Sequence, residues 1–143
     1  MSTRLLYTAK VRTTGGRGGG ASRSSDGNLN VRISPPGGHG TGTNPEQLFA
    51  AGYAACFESA LRLTARLQKK TISDVSITAR VTIGQAEDRG FRLGVELQGH
   101  LPGMSQEEAD TLMHAAHQVC PYSHATRGNI DVKLSASTEA KSA

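Results

Sequence analysis

The chain has 143 residues, a formal net charge of +4, 36% hydrophobic and 20% charged residues. That length fits a single domain over residues 1–143, and the composition excludes a disordered chain. No run of about 18 apolar residues occurs, so no membrane-inserted helix is expected. The basic residues are scattered rather than interleaved with aromatics, so nucleic acid is not an expected partner.

Only 4% of the residues are aromatic, tryptophan is absent and 17 residues are glycine. A monomer so composed has a thin core, and burial between subunits is expected to complete it. The N-terminal segment from Met1 to Tyr7 lacks the apolar run of a signal peptide, which points to a reducing, cytoplasmic setting. Two cysteines in such a compartment, Cys56 and Cys120, react or bind metal more often than they staple a fold.

Residues 4–12 mix apolar and β-forming side chains and predict a strand. Residues 13–27 hold Gly15, Gly16, Gly18, Gly19, Gly20 and Gly27 and predict a loop. Residues 28–34 alternate polar and apolar, as a strand with one buried face does. Pro35 to Gly40 can continue neither helix nor ladder. Asn44-Pro45-Glu46 is then a strong helix start: Asn caps, Pro takes the first helical position, and an acid faces the positive end of the dipole. This helix should run to about Lys69. From Leu48 to Ala60 it is apolar on every side except Glu58 and Ser59, which predicts burial all round.

Residues 75–83 and 91–101 alternate as two long strands, joined by a hairpin link at 86–90. Ser105 and Glu108 form a capping box ahead of a second helix, 105–119. Pro121 ends it and leaves Cys120 at an exposed boundary. A short turn leads to a last strand, 130–134, and a polar, frayed tail from Ser135. The order β-β-α-β-β-α-β predicts an α+β fold.

Three features carry chemistry. A cysteine on an apolar helix is by default a small hydrophobe whose thiol is made inert by burial. A reactive Cys56 needs a cation to hold its thiolate. Arg17 is the one charge in a run of five glycines, and such a loop could deliver a guanidinium to a pocket. Glu46 could fix the guanidinium's planar fork, although ten residues of helix, about 15 Å, separate it from Cys56. A metal-binding or redox-sensing thiol protein stays open as the rival reading. There His114, His117 and Cys120, spaced i, i+3, i+6, gather ligands and Cys56 completes a tetrahedral set.

Three segments carry a resemblance: the glycine-arginine run from Gly15 to Gly19, the helix segment from Asn44 to Phe57, and Val119-Cys120-Pro121-Tyr122-Ser123 with the residues to Asn129. Together they resemble the organic hydroperoxide resistance proteins, a branch of the superfamily of the osmotically inducible protein C. The resemblance runs from residue 4 to about 135, and the form of the Cys120 motif is the one seen in the hydroperoxide resistance branch.

The resemblance implies a thiol peroxidase without a cofactor that reduces organic hydroperoxides. It implies that Cys56 is the peroxidatic cysteine and Cys120 the resolving one, with Arg17 and Glu46 activating the thiolate. It implies an intertwined homodimer, long helices at its centre and strands wrapped outside, reduced by lipoyl groups on other proteins. The apolar helix, with Phe49, Tyr53 and Phe57 its only large rings near Cys56, predicts a pocket for an alkyl tail.

Overall fold

A computed structural model describes residues 3–139. It is an α+β chain built from two three-stranded sheets and three helices, and it divides into two compact units at Leu48.

The first unit holds an antiparallel sheet of β1 (Val11–Thr14), β2 (Gly20–Ser24) and β3 (Asn30–Ile33), in that order. The predicted loop at 13–27 therefore contains a strand. β2 reads Gly-Ala-Ser-Arg-Ser, with only Ser22 buried, so it carries no apolar alternation to betray it. Its place is held by ladders on both edges and by the Thr13–Ser22 hydroxyl contact of 2.7 Å.

The predicted strand at 4–12 is realised only from Val11. Residues 3–10 have no regular structure, and Leu5, Leu6 and Tyr7 are exposed. One 3-10 turn, Gly16–Gly18, joins β1 to β2 and carries Arg17. Glycine is required at its rim: a Cβ on Gly20 would lie 1.7 Å from the Thr14 carbonyl oxygen, and Gly15 has φ +77°.

The long helix α1 spans Pro45–Leu67 and starts as its sequence predicts. The Asn44 carboxamide oxygen accepts from the Gln47 amide at 2.8 Å. In the second unit it joins β4 (Ser76–Gln85), β5 (Phe91–His100), α2 (Gln106–Val119), α3 (Pro121–Thr126) and β6 (Val132–Ser137). β4 and β5 form the expected hairpin. β6 lies parallel to β5, which the helical crossover through α2 and α3 makes possible.

The last strand thus runs through Ser135 to Ser137, past the expected frayed point. These residues are held by backbone pairing to Gln98, Gly99 and His100, and Ala136 also packs against the core.

One core fills this unit. Tyr53, Phe57, Leu61 and Ala65 of α1 meet Val95 and Leu97 of β5 and Ala109, Leu112, Met113 and Ala116 of α2. Gly99 lets α2 come close to the sheet, since a Cβ there would lie 2.5 Å from the Met113 sulfur. Leu112 is wholly buried, and Leu112→Ala is expected to cost about 2–5 kcal/mol of unfolding free energy in a denaturant titration.

α1 is not buried all round within one chain: Ala51, Ala55 and Ser59 are exposed, as are Leu63 and Leu67. Among the described residues no helix is long and apolar enough to cross a membrane.

Candidate functional site

Cys56 and Cys120 meet inside the second unit, and both thiols are free. The helix phase of α1 puts Tyr53, Phe57, Ala60 and Leu61 into the core and leaves Cys56 half-buried beside them. Cys120 ends α2 and caps α3. Its amide donates to the Ala116 carbonyl at 3.0 Å, and its carbonyl accepts from His124 at 2.9 Å. Pro121, which has no N–H to satisfy, starts α3 directly.

The expected short turn after Cys120 is therefore a helix. The expected exposed boundary is also corrected: Cys120 is 0% exposed and belongs to the core cluster with Tyr53, Phe57, Leu112 and Ala116. Cys56 is the more accessible sulfur of the two.

Burial pushes the Cys56 thiol above its ordinary value. The Tyr122 backbone opposes this by hydrogen-bonding the sulfur, while the neighbouring Cys120 thiol adds to the rise. A thiolate at Cys56 thus has one local backbone donor and needs further positive charge.

Arg17 and Glu46 lie in the first unit and form a two-pronged pair. One guanidinium nitrogen donates to a carboxylate oxygen at 3.0 Å and the other at 2.7 Å. The 3-10 turn presents Arg17, and the first turn of α1 presents Glu46. Glu46 is mostly covered while half of Arg17 faces solvent. The hydrogen bond from Arg17 holds the Glu46 carboxyl below its ordinary range. A depressed carboxyl keeps its pair at neutral pH and loses it only as acid titrates it, on the low side of the usual carboxylate range.

The three predicted pocket rings are placed differently from one another. Tyr53 and Phe57 are wholly buried in the core. Phe49 lines an open apolar groove of 500 Å³ with Pro121, Tyr122, Ala125, Thr126 and Ile130. Tyr122, part of the Cys120 motif but given no role from the sequence, completes an aromatic cluster: its ring centroid lies 6.1 Å from Phe49 and 5.5 Å from Tyr53. Gly52 makes room for it, since a Cβ there would lie 2.6 Å from the Tyr122 hydroxyl. A glycine in mid-helix costs about 1 kcal/mol against alanine. Such a residue beside a cysteine is a sequence signal of close approach.

His114 is exposed, while His117 is half-buried with its Nδ1 2.7 Å from the Ser123 hydroxyl. Among the described residues no group of three or more His, Cys, Asp or Glu side chains is placed to hold a metal ion.

The profile of the OsmC-like protein family matches residues 38–135. The chain is 54% identical over 136 residues to the organic hydroperoxide resistance protein of Xanthomonas axonopodis pv. citri, covering 92% of this chain and 94% of that one. Among solved structures it is similar to the organic hydroperoxide resistance protein OhrB of Bacillus subtilis, at 48% identity and a TM-score of 0.88, over 93% of this chain and 100% of the other. It is also similar to a putative organic hydroperoxide resistance protein of Vibrio cholerae with captopril bound in one of its active sites. That match has 43% identity and a TM-score of 0.87, over 95% of each chain.

Proposed function

We propose a mechanism and a substrate class for this chain, which belongs to the OsmC-like protein family and stands among its organic hydroperoxide resistance proteins. Its role is peroxide detoxification by a peroxidase-type redox enzyme. The chemistry is that of two sulfurs, and the observation that carries it is the meeting of free Cys56 and Cys120 in one core.

The Cys56 thiolate attacks the outer oxygen of R–O–O–H. The O–O bond breaks, and the alkoxide takes a proton and leaves as the alcohol. Cys56 is left as a sulfenic acid. Cys120 then attacks the Cys56 sulfur. An S–S bond forms, the S–O bond breaks, and hydroxide leaves with the thiol proton as water. A dithiol, for which a lipoyl group on a partner protein is the proposed donor, reduces the disulfide by exchange and becomes a cyclic disulfide itself. The half-exposed state of Cys56 and the burial of Cys120 suit these roles: the first must meet substrate and the second must be kept from it.

Arg17 is the proposed partner of the Cys56 thiolate, with Glu46 fixing its fork. The need is physical, since burial raises the Cys56 thiol and only a cation or donors can bring it back. Arg17→Ala is expected to raise the Cys56 pKa and to slow peroxide reduction near neutrality by about tenfold. Arg17→Lys should also be impaired, because a point charge lacks the planar fork. A thiol titration of Cys56 unmoved by Arg17→Ala would remove Arg17 from the mechanism.

The alkyl tail of the substrate is assigned to the groove of Phe49, Tyr122 and Ile130, with Tyr53 and Phe57 as the packing behind it. Assembly as an intertwined homodimer in the cytoplasm completes the reading. The uncovered face of α1 at Ala51, Ala55, Leu63 and Leu67 supports it. A hydroperoxide panel run with dihydrolipoamide as reductant tests the whole reaction: turnover with organic hydroperoxides is the expected result, and absence of turnover refutes it.

A further inference from the structure

The two sulfurs are bracketed by a chain of side chains that the reaction does not consume. Tyr53 lies on α1, three residues before Cys56. His117 lies on α2, three residues before Cys120, and Ser123 lies on α3, three residues after it. The His117 Nδ1 is 2.7 Å from the Ser123 hydroxyl. That hydroxyl is 2.8 Å from the Tyr53 hydroxyl, and the Tyr53 hydroxyl is 3.2 Å from Thr126 Oγ1. Thr126 Oγ1 in turn donates to the Ser123 carbonyl at 3.1 Å. Tyr53 and Ser123 are 0% exposed and Thr126 is 4% exposed.

Counting protons gives the chain a direction. The Thr126 hydroxyl proton goes to the Ser123 carbonyl, so Thr126 Oγ1 accepts from Tyr53. Tyr53 then accepts from Ser123, and Ser123 accepts from a proton on His117 Nδ1. Every contact is satisfied in this sense only.

Buried hydroxyls are poor packing material. Apolar groups of the same shape in all these places would fill the core at little or no cost. What hydroxyls add is direction. Here they tie together three helices at the point where α2 kinks into α3. Cys120 sits in that kink, and Arg127 also spans it by donating to the His117 carbonyl at 2.8 Å.

We propose that the His117–Ser123–Tyr53–Thr126 chain is a positioning device for disulfide closure: it clamps the α2–α3 kink against α1, so that Cys120 stays in line with the oxidised Cys56 sulfur. None of the four reacts. The device raises the effective concentration of Cys120 at the sulfenic acid and thereby stabilises the disulfide product. This rests on the reading above that Cys120 condenses with a Cys56 sulfenic acid to release water.

The experiment separates the two oxidative steps. The parent, Ser123→Ala, His117→Ala and His117→Asn proteins are mixed with one equivalent of cumene hydroperoxide. The reactions are quenched over time with a sulfenic-acid trap and read by mass spectrometry. Asparagine keeps an amide N–H close to where Nδ1 stands.

Sulfenic acid should form at Cys56 within about twofold of the parent rate in all variants. Disulfide closure should slow about tenfold in Ser123→Ala and His117→Ala and return toward the parent rate in His117→Asn. If the disulfide equilibrium constant falls tenfold with it, the Cys56–Cys120 reduction potential rises by about 30 mV. Closure at the parent rate in both alanine variants overturns the proposal, as does equal slowing in His117→Asn and His117→Ala. His117 is only half-buried, so its variants keep the test alive if Ser123→Ala does not fold. A parent protein that forms no sulfenic acid at Cys56 overturns the underlying reaction, and this inference with it.

Discussion

Cys56→Ser is expected to abolish peroxide reduction down to the uncatalysed rate, whereas Cys120→Ser should reduce one equivalent of organic hydroperoxide and then stop. The difference follows from where the sulfurs lie. Cys56 is half-exposed and receives the Tyr122 backbone hydrogen bond that favours its thiolate. A serine hydroxyl there has no comparable anion at neutral pH and cannot form a sulfenic acid. Cys120 is wholly covered, so its removal leaves the first oxidation intact and strands Cys56 as sulfenic acid. Rapid-mixing measurement of peroxide consumption with no reductant present reads both results. If Cys120→Ser also lost the first turnover, the two roles would be misassigned.

The second large effect is in substrate choice. We expect kcat/KM to rise by at least about a hundredfold from hydrogen peroxide to bulky alkyl or fatty-acyl hydroperoxides. The groove of Phe49, Pro121, Tyr122, Ala125 and Ile130 is largely apolar, so it offers hydrogen peroxide little. Each buried methylene contributes about 0.8 kcal/mol, and a few of them suffice for that ratio. The net charge of +4 adds some attraction for a fatty-acid carboxylate, and that part should weaken with salt. Equal kcat/KM values for hydrogen peroxide and cumene hydroperoxide would refute the apolar groove even if the two-cysteine chemistry held.

Local signals in the chain were good guides where local physics decides the structure. Asn44-Pro45-Glu46 starts α1, and the Ser105 hydroxyl accepts from the Glu108 amide to start α2. The β4–β5 hairpin follows its alternation and closes between Ala86 and Gly90. Arg17 and Glu46, 29 residues apart, come together as charge and fork geometry suggest.

Features set by tertiary cover were not legible. Cys120 is buried in a core assembled from α1, β5 and α2, and Pro121 is as compatible with ending one helix as with starting the next. Strand β2 has no apolar face of its own and exists through its two neighbours. Tyr122 lies far from Gly52 in sequence, yet the absence of a side chain at Gly52 is what lets it settle beside Cys56. The burial expected all round α1 includes burial between subunits, and in the single chain Ala51 and Ala55 are exposed.

The central claim is that Cys56 and Cys120 form one redox couple driven by an organic hydroperoxide. Fully reduced protein treated with one equivalent of cumene hydroperoxide, then alkylated and mapped by mass spectrometry without reductant, tests it most directly. The account predicts loss of both free thiols, a single Cys56–Cys120 linked peptide pair, and one equivalent of alcohol released. Two intact thiols after the peroxide has been added, or oxidation at Cys120 with Cys56 still reduced, would contradict it.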